Sequence, residues 1–170
     1  LVAVGFLTGS PTAFAEEKLD EVPPPSSIPV ETVLSGQISV PMRFPKGIPV
    51  VDILINGKGP YAFEVDPASR GGRLLSKTLL EDLKLPRKGG AVKSQAADGR
   101  IFTMDAQYHV DALGLGTGEF RHLDLPFLDS QDTVSGIVGE KVHGILGMEI
   151  FRNCLLTLDY PNHLLCLSRG

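Results

Sequence analysis

The chain has 170 residues, 42% of them hydrophobic and 21% charged, with 20 acidic against 16 basic side chains for a formal net charge of −4. That length suits one globular domain, and a mildly acidic balance with no basic cluster excludes a surface built to neutralise nucleic-acid phosphates. The 19 glycines and 13 prolines, about a fifth of the chain where roughly 12% is usual, exclude a coiled coil and favour many short strands joined by turns.

Leu1 to Leu7 is an apolar run, and Gly9, Ser10 and Pro11 follow it. Ala13-Phe14-Ala15 then stands immediately before Glu16-Glu17, the first charges in the sequence. This is the hydrophobic segment and small-x-small cleavage site of a secretory signal. Residues 1–15 are therefore expected to be a signal peptide, N-terminally truncated because an initiator Met and a basic n-region are missing, and the product secreted or periplasmic. The apolar run is too short to span a bilayer, so no membrane span is expected after cleavage. Residues 16–36, acidic and containing Pro23-Pro24-Pro25-Ser26-Ser27, read as a linker. The packed domain is expected over 37–170.

Within that domain Val50 to Ile55 is a β-rich run closed by Asn56-Gly57, and Tyr61 to Val65 alternates with its large apolar residues on one face, which together predict a hairpin. Leu79, Leu80 and Leu83 share a face of a short helix that Ser76 caps and Pro86 stops. Asp98-Gly99 signals a second hairpin, with arms from Ala91 to Ala97 and Arg100 to Tyr108 that are too polar to be wholly buried. Such a hairpin projects from the body. Strands are then expected over His109 to Leu113 and Leu123 to Leu128, on either side of the Gly-rich turn Gly114 to Gly118. Asp129, Ser130, Asp132 and Thr133 read as a solvated loop. A short helical stretch from Met148 to Asn153 precedes a last hairpin, Leu155 to Tyr160 returning as Leu164 to Leu167. The fold class is all-β with one or two short helices.

Cys154 and Cys166 flank the turn predicted at Pro161-Asn162 of that hairpin. With a two-residue turn Thr157, not Cys154, faces Cys166, and a bridge between the two would be strained. The sequence leaves their pairing open. The four histidines, His109, His122, His143 and His163, share no spacing, and no paired C-x-x-C motif accompanies them, so no metal is assigned. Gly114-Leu115-Gly116-Thr117-Gly118 lacks the Lys of a phosphate-binding loop, and no Gly-x-Ser-x-Gly elbow is present.

The most informative arrangement is a strand ending in Val65-Asp66, with Ile145-Leu146-Gly147 far along the chain. Here the sequence resembles the retropepsin-type, single-lobe aspartic proteases. In that family an Ile-Asn-Gly-like hairpin precedes a strand ending in Asp-Thr-Gly-Ala or Asp-Ser-Gly-Ala; this chain has Asp66-Pro67-Ala68-Ser69. The resemblance continues through Gly144-Ile145-Leu146-Gly147-Met148 and Phe151-Arg152-Asn153 to Leu158-Asp159-Tyr160-Pro161-Asn162, covering about residues 48 to 168.

The resemblance implies a small closed acid-protease barrel in which the projecting hairpin is the flap. It implies Asp66 as the catalytic carboxylate, Ser69, Ala97, Asp98 and Gly99 as substrate-binding residues, a peptide or protein substrate, and no cofactor. Two such carboxylates share one proton and activate a water, and each single-lobe chain supplies one, so the active form implied is a homodimer. Pro67 departs from the family because it has neither hydroxyl nor N–H and fixes φ near −65°. Ala68 adds a Cβ where the family has glycine. An Asp before a Pro also forms turns by accepting from the amide two residues on, so the alternative is an inactive module that keeps the barrel and binds extended peptides by strand addition.

Overall fold

The computed structural model describes residues 28–95, 99 and 101–170. The chain forms β1 (Glu31–Val33), β2 (Ile38–Pro41), β3 (Val50–Ile55), β4 (Lys58–Val65) and β5 (Arg73–Leu74), then helix α1 (Lys77–Leu83). Next come β6 (Arg87–Lys88), β7 (Val92–Gln95), β8 (Ile101–Met104), β9 (Ala106–Leu115) and β10 (Gly118–Phe127). Helix α2 (Gln131–Val138), β11 (Gly144–Leu146), a 3-10 turn at Met148–Phe151, β12 (Cys154–Asp159) and β13 (Leu164–Arg169) complete it.

Strands pair in the order β10-β5-β11-β4-β3-β9, and β9 pairs back on β10, so six strands close into a barrel. Closure removes the sheet edges that would otherwise invite other chains. The two ten-residue strands make this possible. One edge of β10 runs along β9 from Gly118↔Leu115 to Phe127↔Ala106. Its other edge takes β1 at Glu119 to Arg121 and β5 at Phe127. Strand β9 likewise takes β3 at Leu113 and Gly114 and β6 at Gln107 and Tyr108. Strands β12, β13 and β2 form a separate three-stranded sheet.

Local chemistry accounts for the best-defined pieces. Asn56 and Gly57 both adopt positive φ, at 50° and 75°, as a tight hairpin turn demands. Strand β4 then alternates as its sequence requires, with Phe63 and Val65 fully inside and Ala62 and Glu64 half-buried on the other face. In α1 the Ser76 hydroxyl accepts from the Leu79 amide at 3.2 Å, while Leu79 and Leu80 are buried. The core holds Phe63, Phe120 and Phe151, the last two packed edge to face with centroids 5.6 Å apart. Each such fully buried side chain contributes about 1.5–3 kcal/mol by leaving water.

The structure departs from the sequence reading in two places. The end of the expected linker is packed, because Glu31–Val33 pair antiparallel with β10 and Leu34 is 3% exposed. The stretch read as a solvated loop around Asp132 instead opens α2, whose Val138 joins Val50, Leu75, Val142 and Ile145 in a second small core. Gly136 in the helix and few apolar residues hide its periodicity, and burial of one end supplies what propensity lacks. In the last hairpin His163 N donates to Tyr160 O across Pro161-Asn162, and Thr157 pairs with Cys166. Cys154 and Cys166 are both free thiols.

Candidate active site

Asp66 lies one residue beyond β4, and its position is set by β11. That strand runs parallel to β4, with Gly144, Ile145 and Leu146 opposite Phe63, Glu64 and Val65. It also runs antiparallel to β5, so it fills the gap between the strands before and after the Asp66 loop. The Asp66 amide donates to the Leu146 carbonyl at 3.0 Å, which extends the parallel ladder by one residue. Two further amides of the following segment hold the loop: Met148 N donates to Ser69 O at 3.0 Å and Glu149 N to Arg70 O at 2.8 Å.

Gly147 makes this seat possible. A Cβ at 147 would lie 2.4 Å from the Gly71 carbonyl oxygen and 2.8 Å from the Ser69 carbonyl oxygen, distances that no real Cβ tolerates. The glycine of Ile145-Leu146-Gly147 therefore lets two backbones touch. The motif packs and positions; it carries no reacting group.

The carboxylate is oriented from within the loop. Asp66 is half-buried, and the Ala68 amide donates to its Oδ1 at 2.9 Å, while Ser69 N donates to Asp66 O at 3.1 Å. The extra Cβ of Ala68 does not prevent the amide-to-carboxylate bond. Ala68 is exposed and is not among the left-handed residues of the chain, so an L side chain fits there. Pro67 is exposed too and offers neither donor nor hydroxyl.

Ser69 lies in the same loop but is 9% exposed, and its hydroxyl is engaged internally. It donates to the Gly71 carbonyl at 3.0 Å and accepts from the Arg73 guanidinium at 3.1 Å. Ala97 and Asp98 lie outside the described residues. Gly99 is exposed between β7 and β8, whose paired residues stop at Gln95 and Ile101.

Two charged neighbours of Asp66 escape a reading by motif. Glu64 is two residues earlier on the same face of β4, and Arg73 reaches that face through the cross-strand row Arg73, Ile145, Glu64. Burial raises the Glu64 carboxyl above its ordinary range, and the Asp66 charge adds to this, while Arg73 opposes it. Burial also lowers the Arg73 pKa, with Asp66 and Glu64 pulling it back up. The period of two along β4 makes Glu64 findable from sequence. Arg73 is not, because the β5 to β11 pairing joins residues about seventy positions apart.

The sequence matches the family described as aspartyl protease over residues 51–150, which spans Asp66 and Ile145-Leu146-Gly147. Among solved structures the fold is similar to a retropepsin-like aspartic protease from Rickettsia conorii, with a TM-score of 0.51 and 18% identity. The match covers 82% of this chain and 93% of that one. No curated protein matches the sequence. A six-strand barrel, an Asp held at the end of one strand by the carbonyl of a parallel neighbour, and a family match across more than half its length make this chain a member of the aspartyl protease family with the retropepsin-like fold.

Proposed function

We propose that this protein hydrolyses peptide bonds by the aspartic mechanism, with Asp66 of two copies of the chain forming the carboxylate pair. The observation that carries this reading is the orientation of Asp66: a backbone amide donates to one carboxylate oxygen, and the loop behind it is bonded to a separate segment. One carboxylate takes a proton from water as that water attacks the peptide carbonyl, and the other, protonated, gives its proton to the reacting amide. Residues 1–15 act as an export signal on this reading, and the intact mass of exported protein tests it.

Cleavage of an unstructured protein by the purified chain is the deciding experiment. Pepstatin-sensitive activity that peaks below neutral pH is expected, because one carboxyl of such a pair must stay protonated. Asp66→Asn should abolish it while leaving the chain folded. Activity that survives Asp66→Asn eliminates the mechanism. Pro67 favours a second reading, a module that binds extended peptides without cutting them, because the loop lacks the hydroxyl that ties two such loops together. Replacing Pro67 by Thr and Ala68 by Gly should raise activity. Silence in both wild type and repaired loop, with peptide binding retained, selects the binding module.

A further inference from the structure

Strands β9 and β10 carry a second group of chemically active side chains, separate from the Asp66 loop. Their ladder pairs Arg121 with Ala112, Leu123 with Val110 and Asp124 with His109, which sets His122 opposite Asp111. Val110 and Leu123 point into the barrel, so His109, Asp111, His122 and Asp124 share the outer face. One ligand atom from each of His109, Asp111 and His122 lies within 4.8 Å of the others. Residues from two strands acquire no fixed sequence spacing, so this cluster has no motif.

The hydrogen bonding sets which nitrogen of His109 faces which carboxylate. Its Nδ1 is 2.7 Å from Asp124 Oδ1, and its side chain is 21% exposed. A carboxylate only accepts, so Nδ1 carries the proton in that bond. In a neutral ring Nε2 is then a bare lone pair, and it faces Asp111 Oδ1 at 3.5 Å. Two lone-pair donors held that close repel each other unless a positive species lies between them. The His122 ring stacks on the His109 ring, with centroids 6.0 Å apart and planes 18° from parallel, and adds a third lone pair.

From this geometry we propose that His109 Nε2, Asp111 and His122 bind a divalent transition cation of the zinc class, leaving a position open to water. Two imidazoles and one carboxylate suit zinc better than magnesium or calcium, which take oxygen ligands. Ligand atoms around tetrahedral zinc at about 2.0–2.2 Å lie roughly 3.3–3.6 Å apart, so His109 and Asp111 already have the needed separation. Asp124 acts as the outer carboxylate that fixes the tautomer and aim of a ligating histidine. Two neutral imidazoles and two carboxylates balance the charge of the cation. His122 has φ 56°, a backbone state that histidine adopts more readily than most side chains.

The test is calorimetric titration of the full chain, stripped with chelator, with zinc chloride. One equivalent should bind in the wild type. His122→Gly, which suits the left-handed backbone, should weaken binding at least 10-fold, and Asp124→Asn should weaken it about 10- to 100-fold. Cobalt(II) added instead should give the visible absorption of a four-coordinate ion and lose it in His122→Gly. Circular dichroism of each variant verifies folding. Equal zinc affinity in wild type and His122→Gly overturns the proposal. So does loss of binding on replacing Cys154 and Cys166 by Ser, which places the ion on the thiols, or no binding by the wild type.

Discussion

The loop that carries Asp66 accepts amide bonds from Met148 and Glu149 at its backbone carbonyls, gives one to Leu146 and turns the Ala68 amide onto the Asp66 carboxylate, whereas β7 and β8 form a two-stranded sheet of their own. The loop is wedged between a barrel strand and Gly147 with no room for one methyl group. The hairpin touches the body at its base, where Met104 is 2% exposed, and farther out Ile101 is 58% exposed. A hydrolytic carboxylate needs placement within a fraction of an ångström, while a cover over a cleft needs to open. On the proposed reading the same small barrel supplies both, with one element inside the ladder and the other outside it.

Native-state hydrogen exchange should give the largest contrast. Amides of β4 lie in the closed barrel and should open only with the whole domain, whose stability is typically about 5–15 kcal/mol. Amides of β7 and β8 should open at least ~3 kcal/mol more easily. Equal protection in the two makes the hairpin part of the core and removes the distinction.

Gly147→Ala should follow in size. The added Cβ meets backbone atoms of Gly71 and Ser69, which move only with the loop, so about 3 kcal/mol of destabilisation is expected in urea unfolding. Residual folded protein should show Asp66 displaced and any peptidase activity lost. A stability change below about 0.5 kcal/mol means that the loop yields and is not pinned.

How far these features are readable from sequence follows the same division between local and distant pairing. The β3–β4 hairpin, the Ser76 cap and the Pro161-Asn162 turn are local, and each rests on residues whose own φ or side-chain bond dictates the shape. Asp66 and Gly147 were legible through resemblance to a family, not through spacing. The β1 strand in the expected linker, helix α2 and the Arg73 neighbour of Asp66 depend on distant partners: Arg121, Val50 and Ile145. Nothing within a few residues announces them. Convergence of His109 and His122 likewise needs the β9–β10 register, which the turn at Gly116-Thr117 sets.

Glu64→Gln should have a smaller effect with a defined sign. Because burial raises the folded pKa of Glu64 above its unfolded value, the stability linked to its protonation is present below the ordinary glutamate range and lost as pH rises through the raised value. At neutral pH the wild type therefore carries a cost that glutamine removes. The variant should be slightly more stable at pH 7, by less than about 1 kcal/mol for so partly exposed a group, and the gain should vanish in acid. A loss of stability at pH 7 means that the Glu64 attraction to Arg73 outweighs its burial.

Ile101→Ser should change stability least, and it tests the hairpin from the opposite side. The isoleucine is already 58% exposed, so its removal returns little apolar surface to water. Serine is a weaker strand former, but the whole propensity scale spans only about 1 kcal/mol, and the affected ladder joins β7 to β8 alone. The change should stay within about 0.5 kcal/mol, equivalent to roughly 1–2 °C in Tm for a domain of this size. On the proposed reading the hairpin covers the substrate, so KM for a peptide should rise while the fold is unchanged. A fall of more than about 5 °C in Tm instead makes Ile101 a core residue. An unchanged KM removes the hairpin from substrate binding and leaves the Asp66 loop to act without a cover.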